Sequence, residues 1–284
     1  MGNCDNAYPL QIYCILIDYV KILFTNLDVN RLYNLPFLDF ETVVNLKTGE
    51  PTRKKTVDYH FCKITIYDSG IVLFTGSIHK LYNSLNVIKA PNYKEQKQYK
   101  GFNGNQFNIE NIIEVRNHLQ TLFDCKPYQM IFQNIEFGFN TTPNFNPQLF
   151  ITGLLYQNNK LFEFKYNRRF AQSIHQRYIL KIYNKSNQYG MLDNTLRIEL
   201  KILKIEDIKL TGIKSFNDIH IETLLKAKNL LLKRFKEVVY YDNTISKNKL
   251  TKAQKRTLLN YKNQRYWIDD LKAKNRDFHK KKLL

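Results

Sequence analysis

Cysteine is scarce and scattered in this chain of 284 residues. Cys4, Cys14, Cys62 and Cys125 form no CxxC pair, which argues against a zinc-binding cysteine set and a disulfide framework and fits a reducing cytoplasm. Long apolar runs are missing as well. The stretch from Tyr13 to Phe24 is broken by Asp18 and Lys21 and is too short to span a bilayer, and no basic segment or cleavage site precedes it. Neither a membrane partner nor a signal peptide is therefore expected. Met1-Gly2-Asn3-Cys4 opens like an acylation site, but Asn6 stands where that motif needs Ser or Thr. Acidic residues are outnumbered: 25 Asp plus Glu against 44 Lys plus Arg leave a formal net charge of +19. Such a field favours a polyanionic partner through counterion release and steering. The richness in Lys, Asn, Ile, Tyr and Phe is also what an AT-rich coding sequence produces. With 43% hydrophobic residues, the chain can bury a sizeable core in one large or two smaller domains.

What is present is mostly strand-like. Ile15–Phe24 is β-branched and aromatic with Asp18 in its middle, a carboxylate that needs water or a partner. Residues Thr25–Tyr59, with a Gly-Glu-Pro turn and the basic run Arg53-Lys54-Lys55, read as a loop-rich connection. Phe61–Tyr67 and Ile71–Lys80 flank Asp68-Ser69-Gly70, a hairpin signal, and the polar face of the second run ends in His79. Asn83–Asn105 reads as a long loop. Asn108 caps a helix whose apolar face runs from Ile109 to Phe123. Met130–Asn140 returns to period 2, with Ile131, Ile135, Phe137 and Phe139 opposite Asn134, Glu136, Gly138 and Asn140. Leu161–Tyr166 gives another strand, leading into Arg168-Arg169.

The most informative stretch is Tyr178–Lys204, a predicted hairpin. Tyr178, Leu180 and Ile182 share one face of its first strand, and Ile179, Lys181 and Tyr183 the other. In Leu196–Ile202 the apolar residues alternate with Arg197, Glu199 and Lys201. The ordinary reading is a solvated face with cross-strand charge pairs stabilising the sheet by about 0.2–1 kcal/mol each. The chemical reading gathers His79, Glu136, Glu199, Lys181 and Tyr183, with Asp18 as an addition, on one polar face. Two carboxylates and a histidine suit Mg²⁺ or Mn²⁺ when a substrate phosphate completes the shell. The fold class expected is α+β: an antiparallel sheet with helices on one face, a wet polar face carrying the site, and a basic helical C-terminal region.

Four blocks carry a resemblance: GSIHK (Gly76–Lys80), NIEFGFN (Asn134–Asn140), YILKIYNKSNQY (Tyr178–Tyr189) and LRIELKI (Leu196–Ile202). In that order they resemble the conserved blocks of rolling-circle replication initiators of plasmids and filamentous-type phages, over roughly residues 15–219. The most specific feature is the Tyr-Asn-Lys strand end followed about a dozen residues later by Arg-x-Glu. The resemblance implies a tyrosine that cuts one DNA strand at the origin and stays linked to the 5′ phosphate. It also implies a divalent metal held by acidic and histidine side chains on a sheet. The sequence departs from the broader nuclease superfamily in having no His-hydrophobe-His pair.

A phenol is almost fully protonated at neutral pH, so a nucleophilic Tyr183 needs cations or a base nearby, and Lys181 and Lys185 are close in sequence. Tyr189 ranks second, and Tyr178 lies on the opposite face. Beyond the connector Asp207–Asp218, Ile221–Val239 reads as an amphipathic helix, and Thr251 with Gln254 has capping-box spacing for another. From Lys247 to Lys282 there are 13 basic residues against three acidic ones. This end reads either as a solvated tail with Trp267 docked on the core or as a phosphate clamp with Tyr261, Tyr266 and Trp267 packing or stacking on bases. DNA contacts are expected from Arg168, Arg169, Arg197, Lys201, Lys255, Arg256 and Arg265.

The reading that follows has residues 1–220 as a sheet-based nuclease domain and 221–284 as a basic DNA-binding extension. The protein is expected in a bacterial cytoplasm, with origin DNA, single-stranded or supercoiled, and a host helicase and polymerase as partners. The rivals are a non-catalytic nucleic-acid-binding protein and a metal nuclease that uses water.

Overall fold

The computed structural model of the chain describes residues 16–244 and 246–283. Cys4, Cys14, the Met1–Cys4 opening and the expected strand start at Ile15 lie outside them. In chain order the elements are β1 (Leu16–Phe24), α1 (Val29–Tyr33), β2 (Glu41–Val44), β3 (Pro51–Tyr59), β4 (Cys62–Tyr67), β5 (Val72–Ser77), α2 (Ile78–Leu85), α3 (Ile109–Phe123) and β6 (Met130–Thr141). Then come α4 (Pro147–Gly153), β7 (Leu154–Gln157), β8 (Lys160–Leu161), β9 (Glu163–Lys165), β10 (Phe170–Ile174), β11 (Tyr178–Asn184), α5 (Lys185–Tyr189) and β12 (Leu196–Ile202). The chain closes with α6 (Ile205–Lys209), α7 (Ile221–Phe235), β13 (Val238–Tyr240), α8 (Lys252–Lys262) and α9 (Ala273–Leu283).

This is an α+β protein. Ten strands form one sheet in the order β2-β3-β4-β5-β1-β6-β12-β11-β10-β9, and β13-β7-β8 form a second, small one. The described residues fall into two compact units: those up to Phe139 with Lys201–Asn229, and Asn140–Leu200 with those from Leu230 on. The division expected at residue 220 is a different one. The chain changes unit inside β6, β12 and α7.

In the first unit, β1 pairs antiparallel with β5 and β6. Ile17, Val20, Ile22, Ile64, Phe74, Phe132 and Phe137 are buried, each apolar side chain contributing about 1.5–3 kcal/mol by leaving water. Helix α3, capped by Asn108 as its spacing predicts, supplies Phe123, which stacks on Phe24 at 3.9 Å. Two register shifts between β1 and β6 break the simple alternation. Opposite Glu136, β1 carries two residues, Asp18 and Tyr19, between the paired positions Ile17 and Val20. Near Gln133, β6 carries the extra residue. The second shift explains why Met130 and Phe132 are buried and Ile131 is only half-buried, against the face assigned from alternation.

Several other expectations are corrected. Residues 25–59 hold α1, β2 and β3 instead of loop. The β3–β4 turn is His60-Phe61, with φ of 48° and 63°, a left-handed pair usually signalled by Asn or Gly. The expected strand Ile71–Lys80 stops at Ser77, whose side chain accepts a hydrogen bond from the Lys80 backbone and starts α2, so the loop expected from Asn83 begins after Leu85. Leu161–Tyr166 is not one strand, because β8 belongs to the small sheet and β9 to the large one. The connector 207–218 buries Ile208, Ile213 and Phe216. The helix expected to reach Val239 ends at Phe235, and Val238 and Val239 enter β13.

In the second unit β10, β11 and β9 pair antiparallel, with Phe170 opposite Tyr183. Leu155, Tyr156, Val239, Tyr241, Tyr261 and Trp267 form a separate core. Trp267 is fully buried and its Nε1 donates to the Tyr261 carbonyl at 2.7 Å. Tyr261 and Trp267 are thus packing groups, closed to base stacking. The capping box at Thr251 and Gln254 forms as expected.

Candidate metal centre and tyrosine

Asp18 lies on a central strand, and its placement follows from the bulge. Its carboxylate accepts hydrogen bonds from Ser77 Oγ and, at 2.6 Å, from Asn103 Nδ2. Asn103 arrives on a buried stretch, Phe102–Gly104, that follows α2. Glu136 projects from β6 opposite that bulge. Both carboxylates are 4% exposed, so this part of the polar face is covered and the expected wet surface is not found there.

On β12, the alternation puts Arg197 and Glu199 on the face away from Ile198 and Leu200, yet they are 0% and 1% exposed. Arg197 Nε forms a short ion pair with Glu199 Oε1 and Nη1 donates to Asn140 Oδ1 at 3.3 Å. Arg197 therefore serves Glu199, and burial removes it from the expected set of DNA contacts. Tyr183, half-buried on β11, donates from its hydroxyl to Glu199 Oε1 at 2.9 Å. Lys185, 1% exposed, donates from Nζ to the same hydroxyl at 3.2 Å. That lysine is fixed because Asn184 caps α5 and turns the chain directly after the strand.

Strands β1, β6 and β12 are consecutive in the sheet order. One carboxylate oxygen from each of Asp18, Glu136 and Glu199 lies within 4.8 Å of the others. Three hard oxygen donors are the ligands a divalent ion of the Mg²⁺ class takes. The buried acidic cluster can hold a metal ion.

His79 is placed differently from expectation. It sits on α2, fully buried, with Nε2 bonded to Asn105 Oδ1 at 2.8 Å and its ring stacked on Phe107 at 4.4 Å. Among the described residues, the mutually close acidic group does not include it. Lys181 is half-buried on the Tyr183 side of β11, opposite Gln172. Tyr189, expected in a loop, is in α5 and 2% exposed. Tyr178 is buried on the far face and its hydroxyl accepts from Gln157 at 3.1 Å. Sequence reasoning missed Asn103 and Ser77, which hold Asp18; only the Ser77 cap position left a local signal.

Of the cations expected on DNA, Arg168, Arg169, Lys255, Arg256 and Arg265 are exposed. Lys201 is half-buried and lies 3.9 Å over the Tyr19 ring. Among the described residues no helix is long and apolar enough to cross a membrane.

No protein-family profile matches the chain, and no curated protein matches it in sequence. Among solved structures, the chain is similar to a rolling circle replication initiator protein from Geobacillus stearothermophilus, at 11% identity and a TM-score of 0.38, over 88% of this chain and 96% of that one.

Proposed function

We propose that this protein is a metal-dependent DNA nickase and strand transferase that starts rolling-circle replication of a phage or plasmid, with Tyr183 as nucleophile. The observation that carries the reading is the Tyr183 hydroxyl held between the Glu199 carboxylate and the Lys185 ammonium, with Glu199 also in the acidic cluster. The resemblance of the four sequence blocks points the same way.

The chemistry follows from these contacts. Tyr183 gives its proton toward Glu199, to which it is already hydrogen-bonded, and its oxygen attacks the phosphorus of a DNA phosphodiester. The bond from phosphorus to the 3′ oxygen breaks, its electron pair stays on that oxygen, and a proton from solvent completes a free 3′-OH. The 5′ phosphate remains on Tyr183. Lys185 donates to the phenolic oxygen throughout, stabilising negative charge there. Asp18, Glu136 and Glu199 would hold Mg²⁺ or Mn²⁺, which supplies Lewis-acid polarisation of the phosphate. The exposed cations Arg168, Arg169, Lys255, Arg256 and Arg265, and Lys201, contact the DNA backbone. A host polymerase then extends the 3′-OH while a host helicase unwinds the duplex, in the bacterial cytoplasm.

Incubation with supercoiled and single-stranded origin DNA in Mn²⁺ tests this. A covalent protein–DNA adduct that maps to Tyr183 and vanishes in Tyr183→Phe is expected. Nicking without an adduct would instead show a water-using nuclease, and retardation without nicking a binding protein.

A further inference from the structure

The second unit contains a cleft of about 480 Å³ that the cutting chemistry does not use. Its cations are Arg168, Lys262 and Arg265, and among the described residues no carboxylate lines it. The walls are fixed. Gln264 Nε2 donates to the Leu154 and Leu155 carbonyls at 3.3 and 3.4 Å, and the Arg265 backbone N–H donates to Asn263 Oδ1 at 3.0 Å. Arg168 lies 4.0 Å over the Phe164 ring and donates from Nη2 to the Thr152 carbonyl at 3.3 Å.

The backbone at that arginine is strained. Tyr166, Asn167 and Arg168 have φ of 52°, 53° and 61° in succession, a left-handed run that Tyr and Arg seldom adopt. Strain of this kind persists where surrounding contacts fix it, and it gathers at ligand sites. Tyr241, another lining residue, has a buried hydroxyl with no hydrogen-bond partner among the described residues. Three like charges facing one acid-free cleft repel each other until an anion enters.

We infer that this cleft binds backbone phosphates of the strand that Tyr183 cuts, a few nucleotides from the cut. The inference rests on the proposed function. Its position follows from chain geometry: Arg168 is two residues from Phe170, which stands opposite Tyr183 on the neighbouring strand. That limits the Cα separation of Arg168 and Tyr183 to about 13 Å. A nucleic-acid backbone offers phosphates at this spacing and provides acceptor oxygens for guanidinium and ammonium groups.

The test measures binding of a fluorescent single-stranded oligonucleotide by the full-length protein across a salt series. Lys262→Gln with Arg265→Gln should lower the slope of log affinity against log salt by about 1.4, from about 0.7 per phosphate contact on single strands. The exposed pair Lys47→Gln with Lys97→Gln removes the same charge outside the cleft and outside the expected DNA contacts, and should change the slope less. Equal slopes in the two double variants, or no change in the first, would overturn the cleft. Inorganic phosphate and thymidine monophosphate are titrated in parallel; tight binding of either that depends on Lys262 and Arg265 would assign the cleft to a small anion and overturn the strand assignment. The covalent adduct is scored separately on the unaltered protein. An adduct with unchanged slopes sinks the cleft alone, and a cleft-specific slope change without any adduct sinks the cutting reading and leaves a phosphate-binding cleft.

Discussion

Asn103 Nδ2 donates to Oδ2 of Asp18 at 2.6 Å while Ser77 Oγ donates to the other oxygen. Two donors fix the carboxylate's plane, as outer groups do for metal ligands, where their loss typically costs about 10–100-fold in affinity. Asn103→Ala should therefore weaken Mn²⁺ binding by that range with the overall fold kept. Calorimetric titration of Mn²⁺ into the variant and the unaltered protein reads it; equal affinities would mean that Asn103 serves structure alone.

The acidic cluster makes a thermal prediction. Mn²⁺ at about 100 times its dissociation constant should stabilise the protein by about 2.7 kcal/mol, and Glu136→Gln should abolish most of that gain. Glu199→Gln should also lower stability without metal, by about 3 kcal/mol, since Arg197 would be left buried without the carboxylate it pairs with. Unfolding curves with and without Mn²⁺ separate the two effects. Equal metal-induced shifts in all three proteins would remove the cluster as a binding site.

Stability should fall in mild acid because of two histidines in the first unit. Burial lowers the pKa of His60, and burial with His60 close by lowers that of His118, whose Nε2 is bonded to the Tyr59 hydroxyl at 2.9 Å. A histidine with a lowered folded-state pKa binds protons more readily when unfolded. Its contribution is therefore whole above the unfolded value of about 6.5 and is lost as pH drops below it. Melting temperature followed between pH 8 and 5 should decline less steeply for His118→Gln than for the unaltered chain. Parallel declines would show that His118 does not titrate in this window.

The hairpin β11–β12 was legible because its alternation is unbroken: Leu180, Ile182, Leu196, Ile198, Leu200 and Ile202 are all buried where period 2 puts them. Glu136 and Asp18 were legible only as carboxylates within strands. Their meeting depends on the Asp18–Tyr19 bulge, and a bulge without glycine leaves no mark in the sequence. The burial of Arg197 and Glu199 was hidden for a related reason, since alternation assigns a face but not what covers it. His79 was misplaced because Ser77 can end a strand and cap a helix in one step, and the apolar pattern through Ile78 suits either element. The turns His60-Phe61 and Tyr166-Asn167-Arg168 put Phe61, Tyr166 and Arg168 in left-handed backbone that such residues seldom adopt, so the β3–β4 and β9–β10 turns went unsignalled. β10, missed entirely, sits directly after that second turn.

Lys185 offers the clearest division between chemistry and binding. It is 1% exposed and its Nζ reaches the Tyr183 hydroxyl at 3.2 Å, so it faces the nucleophile and not the solvent where a DNA backbone would run. Lys185→Gln keeps a donor of similar reach but removes the positive charge. If the ammonium stabilises negative charge on the phenolic oxygen, adduct formation should slow by roughly 10²-fold, the lower end of what one such electrostatic donor supplies. The salt dependence of oligonucleotide binding should stay as it is, because that slope counts phosphates neutralised by exposed cations. Single-turnover adduct formation and a salt titration on the same preparation read both quantities. A slope reduced by one contact with the adduct rate unchanged would place Lys185 on the DNA backbone and leave Tyr183 activated by Glu199 alone.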